Sequence, residues 1–314
     1  MLALLFPGQG SQAVGMGRDA YEASPEARAV FEAADAALGF SLSGLCFEGP
    51  EEELVRTEIQ QPAILTTSVA LLRALEARGE LRPSFFAGHS LGEYTALVAA
   101  GALDFEDAVR LVHARGRFMQ EAVPEGKGAM AAVLGLAPEA VADVCTGAAA
   151  QSSRVVAPAN FNGPAQTVIS GDAAAVEIAC SRALSEGAKR AVPLEVSAPF
   201  HCALMRPAAE KLALELARVR FHAPAAPLVT NVEAIACEDA RRFPSLLEEQ
   251  VTAPVRFTEM IGFLSGAGVT QVLEVGPGRV LTGLVARIER GLKRSAVGAA
   301  EQIDAALSFV AEGR

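Results

Sequence analysis

Residues 84–93 read Ser84-Phe85-Phe86-Ala87-Gly88-His89-Ser90-Leu91-Gly92-Glu93, and this pattern carries the strongest structural signal in the chain. Its first four residues predict a brief strand, its G-x-S-x-G centre a tight turn, and the pattern over residues 91–100 a helix that Gly101 ends. A strand that runs through such a turn into a helix is the context of a nucleophile elbow, which exposes its serine hydroxyl at the helix start. The stretch therefore predicts a sheet of the α/β class with Ser90 as a candidate nucleophile.

Similar strand-to-helix units recur on both sides of this stretch. Leu2–Phe6 predicts a buried first strand ahead of Gly8-Gln9-Gly10, and Gln271–Val275 predicts a late strand that Gly276-Pro277-Gly278 turns into a last helix over residues 280–290. Such alternation favours a parallel sheet covered by helices. The predicted fold class is therefore α/β, with a large α/β-hydrolase-like parallel-sheet core.

A different order of elements occupies residues 127–196. The pattern predicts a strand, a helix after Pro138, two strands joined through Asn160-Phe161-Asn162-Gly163, a second helix and a final strand. This β-α-β-β-α-β order is that of a ferredoxin-like unit. We therefore predict an inserted ferredoxin-like subdomain at 127–196 within a large catalytic domain of residues 1–126 and 197–314.

Composition removes several classes of function. The net charge of -10, without clustered basic residues, disfavours a nucleic-acid binder. The apolar runs fall short of the roughly 20 residues that a membrane span needs, and the N-terminus lacks the basic start of a signal peptide. Five widely spread cysteines without C-x-x-C spacing predict reduced thiols in a cytoplasmic protein, and neither a metal nor an organic cofactor is expected.

The general base is sought among four histidines, because a serine hydroxyl attacks only when a base removes its proton. His89 is held in the elbow, His113 lies within a predicted helix, and His222 lies in a predicted loop. His201 follows the inserted unit, where the chain returns to the main sheet. Elimination favours His201 as the base, against the alternative that it only caps a loop.

At this point the chain resembles a known family over essentially its whole length: the malonyl-CoA:acyl carrier protein transacylases of fatty acid synthesis, together with the acyltransferase domains of polyketide synthases. The resemblance implies a monomer that moves malonyl groups from malonyl-CoA to acyl carrier protein by a ping-pong mechanism through a Ser90 ester. The matching stretches are Phe6-Pro7-Gly8-Gln9-Gly10-Ser11-Gln12, Gln60-Gln61-Pro62, Gly88 to Glu93, Arg115-Gly116, Asn160, His201-Cys202-Ala203-Leu204-Met205, Asn231, Gln250 and Glu274-Val275-Gly276-Pro277-Gly278.

The resemblance also implies roles for individual residues. The backbone N–H groups of Gln9 and Leu91 would form the oxyanion hole, and Arg115 would bind the malonyl carboxylate. The Gln250 carbonyl would orient His201. Leu91 follows the nucleophile directly, as an oxyanion donor of an elbow does, and a guanidinium can hold a carboxylate with two hydrogen bonds.

Arg115 has a competing interpretation when its sequence context is read alone. Arg110 and Arg117 lie nearby on the same predicted helix, and such a group favours a solvated face. Phe200 and Asn160 are the predicted substrate-pocket residues. Phe200 resembles the malonyl-type polyketide acyltransferases, in which an aromatic residue leaves little room for an α-methyl branch.

Three other functions remain open at this stage. A free-standing malonyltransferase serving a polyketide synthase would differ only in its carrier protein. A serine hydrolase would use the same elbow, although Arg115 and the inserted unit weigh against it. A catalytically silent scaffold on the same fold would not acquire an acyl group on Ser90.

Overall fold

Two separate sheets organise the chain, and the computed structural model describes residues 1–313. The strands are β1 (Leu2–Phe6), β2 (Phe85–Gly88), β3 (Gly128–Leu134), β4 (Val156–Gly163), β5 (Gln166–Asp172), β6 (Arg190–Pro193), β7 (Leu228–Val229), β8 (Ala236–Cys237), β9 (Gln271–Val275) and β10 (Lys293–Val297). The helices are α1 (Arg18–Ala23), α2 (Pro25–Leu38), α3 (Leu42–Glu48), α4 (Glu51–Leu54), α5 (Thr57–Arg78), α6 (Gly92–Ala99), α7 (Phe105–Ala122), α8 (Pro138–Ser152), α9 (Ala173–Ser185), α10 (Arg206–Leu216), α11 (Phe243–Gln250), α12 (Phe257–Gly266), α13 (Val280–Ile288) and α14 (Ile303–Ala311).

The larger sheet has the order β10-β9-β1-β2-β7-β8, and its strands are parallel except for the edge strand β8. Side chains of β1 alternate between its two faces, as a period of two requires. Leu2, Leu4 and Phe6 join the apolar cluster that holds α2, α5, α6 and α7, whereas Ala3 and Leu5 join the cluster that holds α12 and α13. The predicted parallel-sheet core is confirmed.

The smaller sheet has the order β4-β5-β3-β6 and is antiparallel. Helices α8 and α9 supply its apolar cluster together with inward side chains of the strands. The chain order β3-α8-β4-β5-α9-β6 confirms the ferredoxin-like unit. Its elements span residues 128–193, and the domain boundaries at 126/127 and 196/197 stay predictions.

Two local predictions were wrong. Asn160-Phe161-Asn162-Gly163 does not connect two strands but forms the end of β4, and residues 164–165 make the turn, since Gly163 already pairs with Gln166. The helix α13 is not the last element, because β10 and α14 follow it. Strand β10 is an edge strand with exposed Lys293 and Arg294, so its sequence lacks the apolar run of a buried strand.

The elbow lies where β1 and β2 end side by side, with Phe6 paired to Gly88. The first turn of α6 lies against this edge at a distance that excludes side chains. A Cβ on Gly92 would lie 2.0 Å from the Phe6 carbonyl oxygen, and one on Gly88 would lie 2.0 Å from the Gly92 carbonyl oxygen. Both glycines of the motif are therefore required for the close approach of strand and helix.

Helix α5 crosses the core and is buried over most of its length. Its burial reflects contacts with α2, α6 and α7. Across residues 1–313, the helices are either too short or too polar for a membrane span.

Candidate active site

Ser90 occupies a strained turn between β2 and α6. Its backbone has a φ of 52°, in the left-handed region that non-glycine residues rarely adopt. The Asn231 side chain holds this conformation, because its Oδ1 accepts a hydrogen bond from the Ser90 N–H at 2.6 Å and its Nδ2 donates to the Gly88 carbonyl at 2.7 Å. The buried turn therefore has polar partners that offset its strain.

His201 meets the serine directly. Its Nε2 lies 2.7 Å from Ser90 Oγ, and its Nδ1 lies 2.8 Å from the Gln250 carbonyl oxygen and 3.2 Å from that of Ala253. A carbonyl can only accept, so Nδ1 carries the proton and Nε2 is left to accept from the serine hydroxyl. His201 itself has a φ of 58°, a second left-handed residue at the site. This geometry suits proton transfer from Ser90 Oγ.

The electrostatics keep His201 in its base form. Burial, and next the nearby charge of Arg115, lower the pKa of His201 to about 3. The carbonyl hydrogen bonds act in the opposite direction but are smaller influences. The imidazole is therefore neutral at neutral pH and can accept a proton.

Arg115 is fully buried, so the interpretation of this residue as part of a solvated face was wrong. The exposed face of α7 belongs to Arg110 and Arg117 instead. The Arg115 side chain is held by neutral acceptors: Nη1 donates to Gln61 Oε1 at 2.6 Å, and Nη2 donates to Gln250 Oε1 at 3.0 Å and to Ser90 Oγ at 3.1 Å.

A cleft with a volume of about 560 Å³ opens onto the nucleophile between the two sheets. The predicted site residues that line it are Gln9, Ser90, Asn160, Phe200 and His201. Leu91, Arg115 and Gln250 are fully buried and lie outside this lining. All eight predicted residues thus belong to one region, with five at the cleft wall and three behind it.

Two backbone donors near Ser90 have no acceptor within the part of the chain that the structure describes. The N–H groups that flank Leu91 are engaged, that of Ser90 with Asn231 and that of Gly92 with the His89 carbonyl. The Leu91 N–H and the Gln9 N–H make no hydrogen bond in residues 1–313. Unengaged N–H groups at an elbow are the donors that an oxyanion needs.

Two of the other three histidines have hydrogen-bond partners for their side chains. His89 Nε2 lies 2.8 Å from Asn162 Oδ1, which joins the elbow to the inserted unit, and His113 Nδ1 lies 2.8 Å from the Glu58 carbonyl. Desolvation lowers the pKa of the half-buried His89. Residues 1–313 contain no group of three His, Cys, Asp or Glu side chains placed to hold a metal ion.

Three buried polar residues make contacts at the site that were not predicted from the sequence. Gln61 accepts from Arg115, Asn231 braces the elbow, and Glu93 accepts a hydrogen bond from Gln250 Nε2 at 2.6 Å. Gln61 and Asn231 lie in stretches that resemble the family, and Glu93 is the last residue of the strand-turn-helix stretch 84–93. For Gln61 on α5 and Glu93 on α6, the available signal was a polar residue among apolar helix positions, because buried polar groups need partners.

An elbow serine and a carbonyl-held histidine on a parallel α/β sheet define a serine-dependent acyl-transferring enzyme or hydrolase. The family model described as "Acyl transferase domain" matches residues 3–307, and the chain belongs to this acyl transferase family. The malonyl CoA-acyl carrier protein transacylase of Escherichia coli (strain K12) is 51% identical over 310 residues, which cover 98% of this chain and 99% of the relative.

The chain is also similar to solved structures of malonyltransferases over nearly its whole length. The crystal structure of an acyl carrier protein S-malonyltransferase from Vibrio cholerae has a TM-score of 0.94 and 47% identity, and covers 97% of this chain and 99% of its own. A malonyl-transacylase solved in complex with its type II PKS acyl-carrier protein has a TM-score of 0.95 and 48% identity, and covers 98% of this chain and 99% of its own.

Proposed function

We propose that this chain transfers the malonyl group of malonyl-CoA to the phosphopantetheine thiol of an acyl carrier protein, and so supplies fatty acid chain extension. The observation that carries the proposal is the position of Ser90 Oγ, 2.7 Å from the His201 imidazole and 3.1 Å from the buried Arg115 guanidinium. A base beside the nucleophile suits acyl transfer in general. A buried cation beside it suits an acyl group that carries its own carboxylate.

The first half-reaction forms the acyl-enzyme. Ser90 Oγ attacks the thioester carbon while its proton passes to His201 Nε2, and the oxygen of the tetrahedral intermediate is held by the N–H groups of Gln9 and Leu91. The carbon–sulfur bond then breaks, and His201 Nε2 returns the proton to the leaving thiolate. The products are free CoA and a malonyl ester on Ser90.

The second half-reaction runs the same steps with a different thiol. The phosphopantetheine thiol gives its proton to His201 Nε2 and attacks the ester carbon, and the bond to Ser90 Oγ breaks. Ser90 Oγ takes the proton back from His201, which restores the free enzyme. The Gln250 carbonyl keeps the imidazole in the required tautomer throughout.

Arg115 selects the donor through its charge. The malonyl carboxylate replaces Ser90 Oγ as a partner of Nη2, and two parallel hydrogen bonds fix the acyl group next to the nucleophile. Phe200, which lines the cleft, limits the space for an α-methyl branch, and Asn160 offers an amide in the lining of the same cleft.

The setting of the reaction is part of the same proposal. The enzyme works in the cytoplasm without a metal or organic cofactor, since malonyl-CoA is a substrate. The large domain of residues 1–126 and 197–314 carries Ser90 and His201, while the inserted domain 127–196 supplies the wall that holds Asn160.

A second carrier is favoured by one specific observation. One of the similar structures, at 48% identity, is a malonyl-transacylase in complex with a type II PKS acyl-carrier protein. A malonyltransferase that acts in trans on a polyketide synthase would use the same site chemistry. Transfer rates to fatty acid and polyketide carrier proteins, measured side by side, distinguish the two.

The function is tested by the intact mass of the protein after brief mixing with malonyl-CoA, with acetyl-CoA and methylmalonyl-CoA in parallel. We expect one malonyl adduct, which disappears when holo acyl carrier protein is added and reappears as malonyl carrier protein. An adduct that decays only to free malonate would identify a hydrolase. A protein that acquires no mass at all would be a silent scaffold.

Arg115→Ala is expected to lower kcat/KM for malonyl-CoA by about 10²- to 10³-fold, because a buried charge pair with the substrate is worth about 3–4 kcal/mol. The rate with acetyl-CoA should stay the same or rise, because the guanidinium no longer donates to Ser90 Oγ, so the preference for malonyl is lost. Arg110→Ala, which removes an exposed guanidinium from the same helix, is the matched control. Full malonyl activity in Arg115→Ala would refute the carboxylate assignment.

A further inference from the structure

A second ionisable residue lies behind the nucleophile. Glu93, on the first turn of α6, is only 2% exposed. Its Oε2 accepts hydrogen bonds from Gln250 Nε2 at 2.6 Å and from the Asn231 backbone N–H at 3.2 Å. A carboxylate is seldom buried in this way unless it is paired or fully hydrogen-bonded, so its presence next to the site calls for a reason.

The Gln250 side chain connects Glu93 to the reacting groups. Its Oε1 accepts from Arg115 Nη2 at 3.0 Å, and its Nε2 donates to Glu93 and to the Ser90 carbonyl at 3.0 Å. An amide can be rotated to exchange its oxygen and nitrogen, but a carboxylate only accepts. Glu93 therefore admits one orientation of the amide, the one that points its oxygen at Arg115.

The same residue also bears on the base. The Gln250 backbone carbonyl accepts from His201 Nδ1 at 2.8 Å, and the Asn231 side chain holds the Ser90 N–H at 2.6 Å. Glu93 thus contacts the two residues that position the base, the cation and the nucleophile turn. It touches none of the reacting atoms itself.

We propose that Glu93 is a positioning residue for malonyl transfer: its ionised carboxylate fixes the Gln250 amide and balances the Arg115 charge, which keeps the guanidinium oriented toward Ser90 Oγ. The proposal rests on the function proposed above. Protonation of Glu93 weakens both effects together, because the carboxylic acid loses the charge that balances Arg115 and one of its oxygens becomes a donor that competes with Gln250 Nε2.

The charges around Glu93 make this protonation accessible. Burial raises the pKa of Glu93 to about 7, against the opposing influence of the hydrogen bonds from Gln250 and Asn231 and the charge of Arg115. Two titratable groups lie near Glu93. Arg115 on α7 is a cation, and Tyr94 follows Glu93 on α6 and is neutral, because burial raises the pKa of its hydroxyl above the ordinary value. His201, beyond Gln250, titrates far lower, at about 3.

Glu93→Gln tests the proposal, since it removes the charge and changes the shape little. We expect kcat/KM for malonyl-CoA, with holo acyl carrier protein as acceptor, to fall about ten- to hundredfold, the size of a lost hydrogen-bonded charge. Glu274→Gln is the matched control. Glu274 is equally buried and accepts from Leu281 N–H and Thr282 N–H at the start of α13, away from Ser90. The Glu274→Gln variant should have a lower thermal stability and an unchanged kcat/KM for malonyl-CoA.

The pH dependence of kcat/KM separates positioning from mere support of the fold. A raised carboxyl pKa means that the active, ionised form is lost as pH falls through about 7. The unsubstituted protein should therefore lose malonyl activity on this acidic limb, whereas Glu93→Gln should be low and flat across it. Glu93→Asp, which keeps the charge, should restore the limb.

The outcomes distinguish this inference from the proposed function. A malonyl adduct on the unsubstituted protein, with an unchanged rate and an unchanged acidic limb in Glu93→Gln, overturns the role of Glu93 alone. Absence of any adduct on the unsubstituted protein overturns the function. Should Glu93→Gln fail to fold, the profile of the unsubstituted protein still decides, because a kcat/KM that is level from about pH 6 to about pH 8 contradicts the role.

Discussion

Ser90→Ala is expected to acquire no malonyl mass, and its rate of malonyl transfer should fall by about 10⁴- to 10⁶-fold. A loss of this size is typical when a serine nucleophile that acts together with a histidine is removed. The reason is covalent: without Oγ there is no atom to carry the ester between the two thiols. Intact mass after mixing with malonyl-CoA, followed by transfer to holo acyl carrier protein, measures both losses.

The matched control for this change is Ser197→Ala. Ser197 lines the same cleft, but its Oγ is bonded to Thr57 Oγ1 at 2.8 Å rather than to a base. Its alanine variant should keep the single adduct. A malonyl adduct that persists in Ser90→Ala would place the ester on another residue and would remove the elbow from the mechanism.

His201→Ala should slow the formation of the malonyl ester by about 10²- to 10⁴-fold, because general-base catalysis has that size and no other imidazole reaches Ser90 Oγ within residues 1–313. Binding of malonyl-CoA should persist, since His201 is not proposed to hold the carboxylate. Quenched-flow mass measurement gives the acylation rate, and calorimetry with the Ser90→Ala, His201→Ala double variant gives the affinity without turnover.

His113→Ala is the control for removal of a histidine. The His113 imidazole is hydrogen-bonded to the Glu58 carbonyl and makes no hydrogen bond to Ser90, so acylation should continue at its ordinary rate. An acylation rate in His201→Ala equal to that of the unsubstituted protein would eliminate His201 as the base.

Features with a local signal could be predicted from the sequence. The elbow depends on Gly88 and Gly92. The sequence shows glycine at both positions, and the strand-turn-helix pattern predicts the close approach that requires them. The inserted unit could be recognised because its order of elements is set by local periodicity. Strand β10 had no such signal, since an edge strand needs neither alternation nor an apolar run.

The polar interior of the site was harder to predict, because its members meet through the tertiary fold. Arg115 lies four positions after the buried Leu111 and three after the buried Val112, so helical periodicity places it on the buried face of α7. The neighbouring arginines instead suggested that it is exposed. Periodicity was the better guide. Gln250 acts through its backbone carbonyl as well as its side chain, and a backbone contact leaves no trace in residue type.

The hydrogen bond from Arg115 Nη2 to Ser90 Oγ has a consequence for the order of events. Without a bound carboxylate, the guanidinium draws electron density from the Ser90 hydroxyl, which lowers the nucleophilicity of Oγ. The malonyl carboxylate, which we propose takes over Nη2, would remove this restraint once a malonyl thioester is in place. A neutral acyl group has no means to do so. The Arg115 cation would then have two roles: it would select the donor, and it would keep the reactivity of Ser90 low until an acyl group with a carboxylate binds.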